Sequence, residues 1–215
     1  MTARCGHLTA RALNADVSWP NAILMGGLGR YDEAIDEYQN AVTHDPLSTI
    51  IRTQLVQAYV CSGRYADAIE AIESNDGLGV NNSDSEYWRM MLSESYIRAG
   101  DKERGLQFAV SVVAEETGDA LNVALLFALA GEIERARSIL NSREITGTSA
   151  LLEASRVLAV LGDEDRTLTL LERAATLALS ESNPLIVLEY IHCTPEILRL
   201  AGNSRYESLL IQLGL

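Results

Sequence analysis

His192 and Cys193 adjoin each other, and a thiol beside an imidazole is the pairing that nucleophilic catalysis uses. Neighbours on regular structure point apart, however, and no third residue is placed to orient the imidazole. The pair therefore reads as a half-buried Cys and an incidental His ahead of the Pro195 turn. His44 precedes Asp45-Pro46 at the end of a helical stretch, where the helix dipole favours a partly charged imidazole, so local stability accounts for it. Metal ligation needs several His, Cys or carboxylate side chains at consistent spacing. The three His and three Cys are instead scattered, with neither Cys-x-x-Cys nor His-x-x-x-His. Glu115-Glu116 and Asp163-Glu164-Asp165 read as solvated helix ends, and Gly77-Leu-Gly79 lacks the downstream glycine and preceding strand of a dinucleotide loop. No catalytic, cofactor-binding or metal-binding residue is expected, and the chain is read as non-enzymatic.

Composition narrows the class further. The 215 residues are 47% apolar, with two Phe and four Pro among plentiful Ala, Leu and Glu, which suits helices joined by short turns. A net charge of −13 repels phosphate backbones and anionic membrane surfaces, and the basic residues stand singly among acids; neither direct nucleic-acid binding nor membrane binding is expected. Cys5, Cys61 and Cys193 are an odd count with no close pair, which points to a reducing compartment. With no apolar stretch of signal-peptide type near the start, cytoplasmic localisation is the expectation.

The elements that would position any site are set by a repeat. Gly29-Arg-Tyr-Asp-Glu-Ala34 recurs as Gly63-Arg-Tyr-Ala-Asp-Ala68, then decays into blocks beginning at Gly100, Gly131 and Gly162, so that the glycines fall 34, 37, 31 and 31 residues apart. Periods in this range mark stacked helical hairpins. With the glycine at position 15 of a 34-residue unit, the second repeat places Leu55, Tyr59, Tyr65, Ala68 and Ile72 at packing positions. The third places Leu92, Tyr96, Gly105 and Ala109 there, and the fourth Val123, Phe127, Ala136 and Leu140. The fifth, with Ala154, Leu158, Thr167 and Leu171, has the weakest register. In the first, Trp19-Pro20 and Gly26-Gly27 leave room for only a short helix from Asn21 to Leu28, so the helix beginning at Tyr31 is expected to be incompletely covered. The turn formers of Asn75–Asp84 separate the second and third units, with Ser83 or Asp84 as a cap, and Ser48 caps the helix after Asp45-Pro46.

These units resemble tetratricopeptide repeats over roughly residues 29–180. The ending, with Asn183-Pro-Leu-Ile-Val-Leu, Thr194-Pro-Glu-Ile-Leu-Arg and Asn203-Ser-Arg-Tyr-Glu-Ser, is similar to the terminal module of repeat arrays in bacterial multidomain regulators, where a cyclase, kinase or winged-helix domain precedes the repeats. None of those upstream activities transfers to a residue here. The resemblance implies an all-α, right-handed superhelical solenoid of antiparallel helix pairs with four to five repeats. Residues 1–20 would be irregular, 21–182 the repeats and 183–215 a C-terminal helical cap.

In such an array the first helices line a concave groove, which selects Thr53, Gln57, Val60, Tyr87, Met90, Glu94, Arg98, Leu125 and Arg156 as partner-binding candidates. The lining is mostly apolar. Repeats that grip an acidic peptide carboxylate need several Lys, Arg or Asn in the groove; only Arg98 and Arg156 are placed for it, with Glu94 beside the former, which argues against such a clamp. The expectation is a scaffold that binds a partner segment, an apolar helix or strand, in the concave face. Two alternatives stand beside it: the groove is filled by the chain's own N-terminal segment or C-terminal helices, or the array self-associates through its ends to serve an activity carried elsewhere.

Overall fold

A computed structural model of the protein describes residues 19–74, 86–115 and 120–215, and all regular structure among them is helical. The first 18 residues, the Asn75–Asp84 turn cluster with its capping residues, and Glu116 lie outside the described residues. The helices are α1 (Trp19–Gly27), α2 (Tyr31–His44), α3 (Thr49–Cys61), α4 (Tyr65–Glu73), α5 (Glu86–Arg98), α6 (Lys102–Glu115), α7 (Ala120–Ala130), α8 (Ile133–Asn141), α9 (Thr148–Val160), α10 (Glu164–Ser180), α11 (Leu185–His192), α12 (Pro195–Leu198) and α13 (Ser204–Leu213).

The repeated glycines explain the hairpins. Gly29, Gly63, Gly100, Gly131 and Gly162 adopt left-handed φ values of 74°, 78°, 101°, 89° and 76°. In each case the next amide turns back onto the preceding helix, as Arg64 N donates to Tyr59 O at 2.8 Å and Asp163 N to Leu158 O at 3.0 Å. This is the closing bond of a Schellman motif, which satisfies a carbonyl the helix end would otherwise orphan. Helix starts use short polar side chains: Ser48 accepts from Ile51 N, Asp163 from Arg166 N and Asn203 from Arg205 N. The helix at Trp19-Pro20 forms because Pro20 sits in the first turn, where its missing N–H leaves no bond unmade.

Packing follows the repeat. Helices α1, α3, α5, α7 and α9 contact one another in series as an inner layer, and α2, α4, α6, α8 and α10 pack outside them. At the closest approach within each pair stand Ala34, Ala68, Gly105, Ala136 and Thr167, all buried. A Cβ on Gly105 would lie 2.7 Å from the Ser93 carbonyl oxygen, so no larger residue fits α6 this near α5. Thr167 is tolerated in the fifth pair because its hydroxyl donates to Asp163 O at 2.7 Å.

The C-terminal helices turn back into the array. Helix α11 touches both α1 and α9, the first and last helices of the inner layer, and α12 also packs on α9, so the array closes into a ring. Val187, Leu188 and Ile191 of α11 are buried, each contributing about 1.5–3 kcal/mol, which makes apolar burial the principal force seating it. Two expectations are corrected here. The helix beginning at Tyr31 is not left bare: α1 packs along it with Ala22 and Ala34 fully buried, and Gly27 lets α11 approach α1, because a Cβ there would lie 2.3 Å from Leu185 Cδ1. The second concerns the cysteines: Cys61 and Cys193 form a disulfide across 132 residues of sequence. Cys5 lies outside the described residues.

Candidate functional site

Side chains from five helices converge on a cavity of about 140 Å³ inside the ring. Helix α3 brings Gln57, Val60 and Cys61; α5 brings Tyr87, Met90, Met91 and Glu94; α7 contributes Asn122, α9 Glu153 and Arg156, and α11 Glu189 and Tyr190, with Cys193 just beyond it. The inner helices present one face every fourth residue, which is why Gln57 and Cys61, or Met90 and Glu94, stand one turn apart on the same wall.

A hydrogen-bonded relay crosses the cavity. The Tyr87 hydroxyl donates to Gln57 Oε1 at 3.0 Å, and Gln57 Nε2 donates in turn to Glu189 Oε1. Burial pushes the Glu189 carboxyl above the ordinary glutamate range, against the opposing hydrogen bond from Gln57. The phenols of Tyr31, Tyr38 and Tyr87 are raised as well, first by burial and then by the negative potential of Glu189. Tyr87 is 41% exposed as a residue, yet its hydroxyl end is tucked into the cavity, so its ring forms the rim while its oxygen joins the interior.

Beside the relay lies a buried charge network. Glu94 accepts from Arg156 Nη2 at 2.7 and 3.0 Å and from Arg98 Nε at 2.9 Å, and Arg98 reaches both oxygens of Glu196 at 3.2 Å. Burial alone would raise the Glu94 pKa; the guanidinium groups of Arg156 and Arg98 outweigh it and hold the carboxyl below its usual range. The network ties α5 to α9 and to the loop-borne α12. Arg156 Nε remains buried without a hydrogen-bond partner.

Of the nine groove candidates, the structure brings Gln57, Val60, Tyr87, Met90, Glu94 and Arg156 to this one cavity. Arg98 lies behind them in the ion network, Thr53 bonds its own helix at Thr49 O, and Leu125 is 1% exposed within the core. Sequence reasoning did not select Asn122, Glu153, Glu189 and Tyr190. The available signal was Glu189 itself, a carboxylate within the otherwise apolar Leu185–Ile191 run. The His192–Cys193 pair is dismantled as chemistry: Cys193 carries a disulfide, and His192 Nδ1 donates to Gly27 O at 2.9 Å, fastening α11 to α1. Among the described residues no group of His, Cys, Asp or Glu gathers to hold a metal ion, and no helix is long and apolar enough to cross a membrane.

Comparison with known proteins agrees with this architecture. Residues 1–76 match the family model described as Bacterial transcriptional activator domain. A stretch of 79 residues, 37% of the chain, is 30% identical to the Hsp70-Hsp90 organising protein of Plasmodium falciparum and, over the same length and identity, to a protein of that name from Plasmodium falciparum isolate 3D7. The matched stretch spans 27% of the first relative and 12% of the second. Together the helical-repeat fold and these similarities fit a tetratricopeptide-containing region of a bacterial regulator.

Proposed function

We propose that this chain is a non-enzymatic interaction module of a bacterial regulator, cytoplasmic in its site of action, that takes a protein segment at the concave face. The observation that carries the reading is the lining of the cavity, where the partly exposed Tyr87 and the buried apolar side chains of Val60 and Met90 stand beside the Gln57 and Glu189 polar groups. A short helix or strand with an apolar anchor and a hydrogen-bond donor matches that lining. The similarity to a transcriptional activator domain supports the regulatory setting, and the net charge of −13 supports a protein partner rather than direct contact with nucleic acid. No cofactor is part of this reading. The matched relatives are named for Hsp70 and Hsp90, but here Arg98 and Arg156 are engaged by Glu94 and Glu196, so a peptide carboxylate would have to displace internal ion pairs.

The test is capture of interacting proteins by the parent and by Tyr87→Ala, followed by calorimetry with segments of whatever is retained. Tyr87 is the rim residue whose removal leaves the core intact. Loss of binding by the variant with unchanged circular dichroism supports the groove; equal affinity of both proteins sinks it.

Self-association is the second reading, favoured by α13, where Ile211 is 73% exposed, and by Leu215 just beyond it, 52% exposed. Light scattering of the parent and Ile211→Glu decides it: a parent dimer that the variant loses supports this reading, and a monomeric parent at high concentration removes it.

A further inference from the structure

We propose that Cys61 and Cys193 form a reversible thiol–disulfide exchange site, whose co-reactant is a dithiol and whose oxidised state clasps α11 onto the inner layer of the ring. The regulatory use of the site rests on the concave-face reading above; the exchange chemistry does not.

Placement carries the inference. Cys61 is the last residue of α3 and Cys193 directly follows α11, so the bond joins the repeat array to its C-terminal cap at the wall of the cavity. Both cysteines line that cavity, whose wall also includes the 41% exposed Tyr87, so the bond lies at a cavity with a solvent-exposed wall residue rather than within the packed core. Cys193 is the more exposed of the two, which makes its sulfur the one attacked. The polar fastenings of α11 and α12 to the rest of the ring are reversible: Gln57 to Glu189, Arg98 to Glu196 and His192 to the Gly27 carbonyl. Glu189 has no ion pair among the described residues, so the seat of α11 contains a buried carboxyl matched by an amide alone. The apolar side chains Val187, Leu188 and Ile191 still hold the helix when the covalent tie is cut. Reduction therefore loosens the cap without unfolding the array.

The exchange balances as follows. A thiolate of the dithiol attacks Cys193 Sγ, forming a mixed disulfide, while the electron pair of the Cys61–Cys193 bond leaves with Cys61 Sγ, which takes up a proton. The second thiolate of the reductant then attacks its own sulfur in the mixed disulfide, closing a cyclic disulfide and releasing Cys193 Sγ as a thiolate that is protonated in turn. Two electrons and two protons pass to the protein, and an oxidised dithiol reverses the sequence. With the cap loosened, Gln57 and Arg156, which share the cavity with Glu189 of α11, become more open to the partner segment proposed above.

The experiment uses the full chain equilibrated in mixtures of reduced and oxidised dithiothreitol. Thiols are trapped by maleimide and located by mass spectrometry, and backbone hydrogen exchange is read on the same samples. Cys61 and Cys193 should become reactive together, with exchange at residues 185–192 rising at least about tenfold while residues 120–141 stay protected. Maleimide labelling of both cysteines in the air-oxidised native protein would overturn the proposal, because no bond would exist to reduce. A bond that resists dithiothreitol until the whole chain unfolds would overturn it as well, leaving a fixed staple, and so would reduction with unaltered exchange at 185–192. Cys61→Ser/Cys193→Ser should show the loosened pattern irrespective of reductant. None of these readouts involves a partner, so failure of the clasp and failure of the concave-face reading are separately visible.

Discussion

Gln57 and Glu189, 132 residues apart in sequence, share a hydrogen bond at the centre of the concave face. The contact joins the second repeat to the cap, and it places a carboxyl where the surroundings disfavour its charge. Because burial raises the Glu189 pKa in the folded protein above the ordinary glutamate value of about 4.3, its contribution is full below that value and is lost as pH rises through the raised one. Glu189→Gln keeps the neutral, hydrogen-bonding shape at every pH. Thermal melts across pH 4–8 should therefore show the parent losing stability relative to Glu189→Gln as pH increases; a constant difference would mean that Glu189 does not titrate in this range.

Glu94 has the opposite environment. Together with Glu196 its carboxylate neutralises Arg156 and Arg98 away from solvent, and replacing one member of a buried network leaves the others uncompensated. Glu94→Gln should destabilise the fold by about 3–5 kcal/mol in urea titrations. The double substitution Glu94→Leu/Arg156→Leu should cost clearly less than Glu94→Gln, since it removes a charge together with its main partner. If the double variant is the worse of the two, the network stabilises more than it costs to bury.

Two glycines distinguish steric from conformational constraint. Alanine at position 105 gains about 1 kcal/mol of helix propensity, but its methyl would press on the Ser93 carbonyl and on Ile97, an overpacking cost of about 1–3 kcal/mol. A net loss is expected. Alanine at Gly63 meets only an ordinary contact with the Tyr65 hydroxyl oxygen at 4.0 Å and instead carries the cost of a left-handed φ of 78°, about 1–2 kcal/mol. Chemical denaturation of both variants checks this, and a stabilised Gly105→Ala would show that α5 and α6 can separate without penalty.

At Gly27 the obstacle is the flexible end of Leu185, so alanine should be mild while Gly27→Leu forces α11 away from α1. The larger variant should increase hydrogen exchange at residues 185–192 and leave residues 120–141 unaffected. Uniform destabilisation across both regions would contradict a local role for this approach.

The hairpins and their packing positions were legible because they depend on information within one repeat. A glycine that must turn left, a small residue five positions later and an aromatic on the preceding helix are neighbours in sequence as well as in space. Thr167 shows how far that logic extends, since a polar residue at a tight contact is accommodated by a carbonyl one turn away. The cap's position was not legible. Nothing in the spacing of Cys61 and Cys193 distinguishes them from free thiols, and whether Gln57 faces solvent or Glu189 depends on the accumulated curvature of five hairpins, a global quantity that no single unit encodes. Six of the nine groove candidates therefore share one cavity, while the sequence left open whether a partner, the N-terminal segment or the C-terminal helices would cover it.

Ring closure changes what kind of object the repeat array is. In an open solenoid each unit answers only to its neighbours and the ends fray independently. Here α11 makes the first and last inner helices mutually dependent, so melting should be a single concerted event. The order of synthesis matters for the same reason. On the ribosome, α1 through α10 emerge before the segment that completes the hoop, leaving the Gly27 face of α1 and the wall of α9 without their cover until residue 192 has cleared the exit tunnel. Until then the nascent chain is a sticky open arc, and the arrival of α11 decides whether that arc closes on itself or on another molecule.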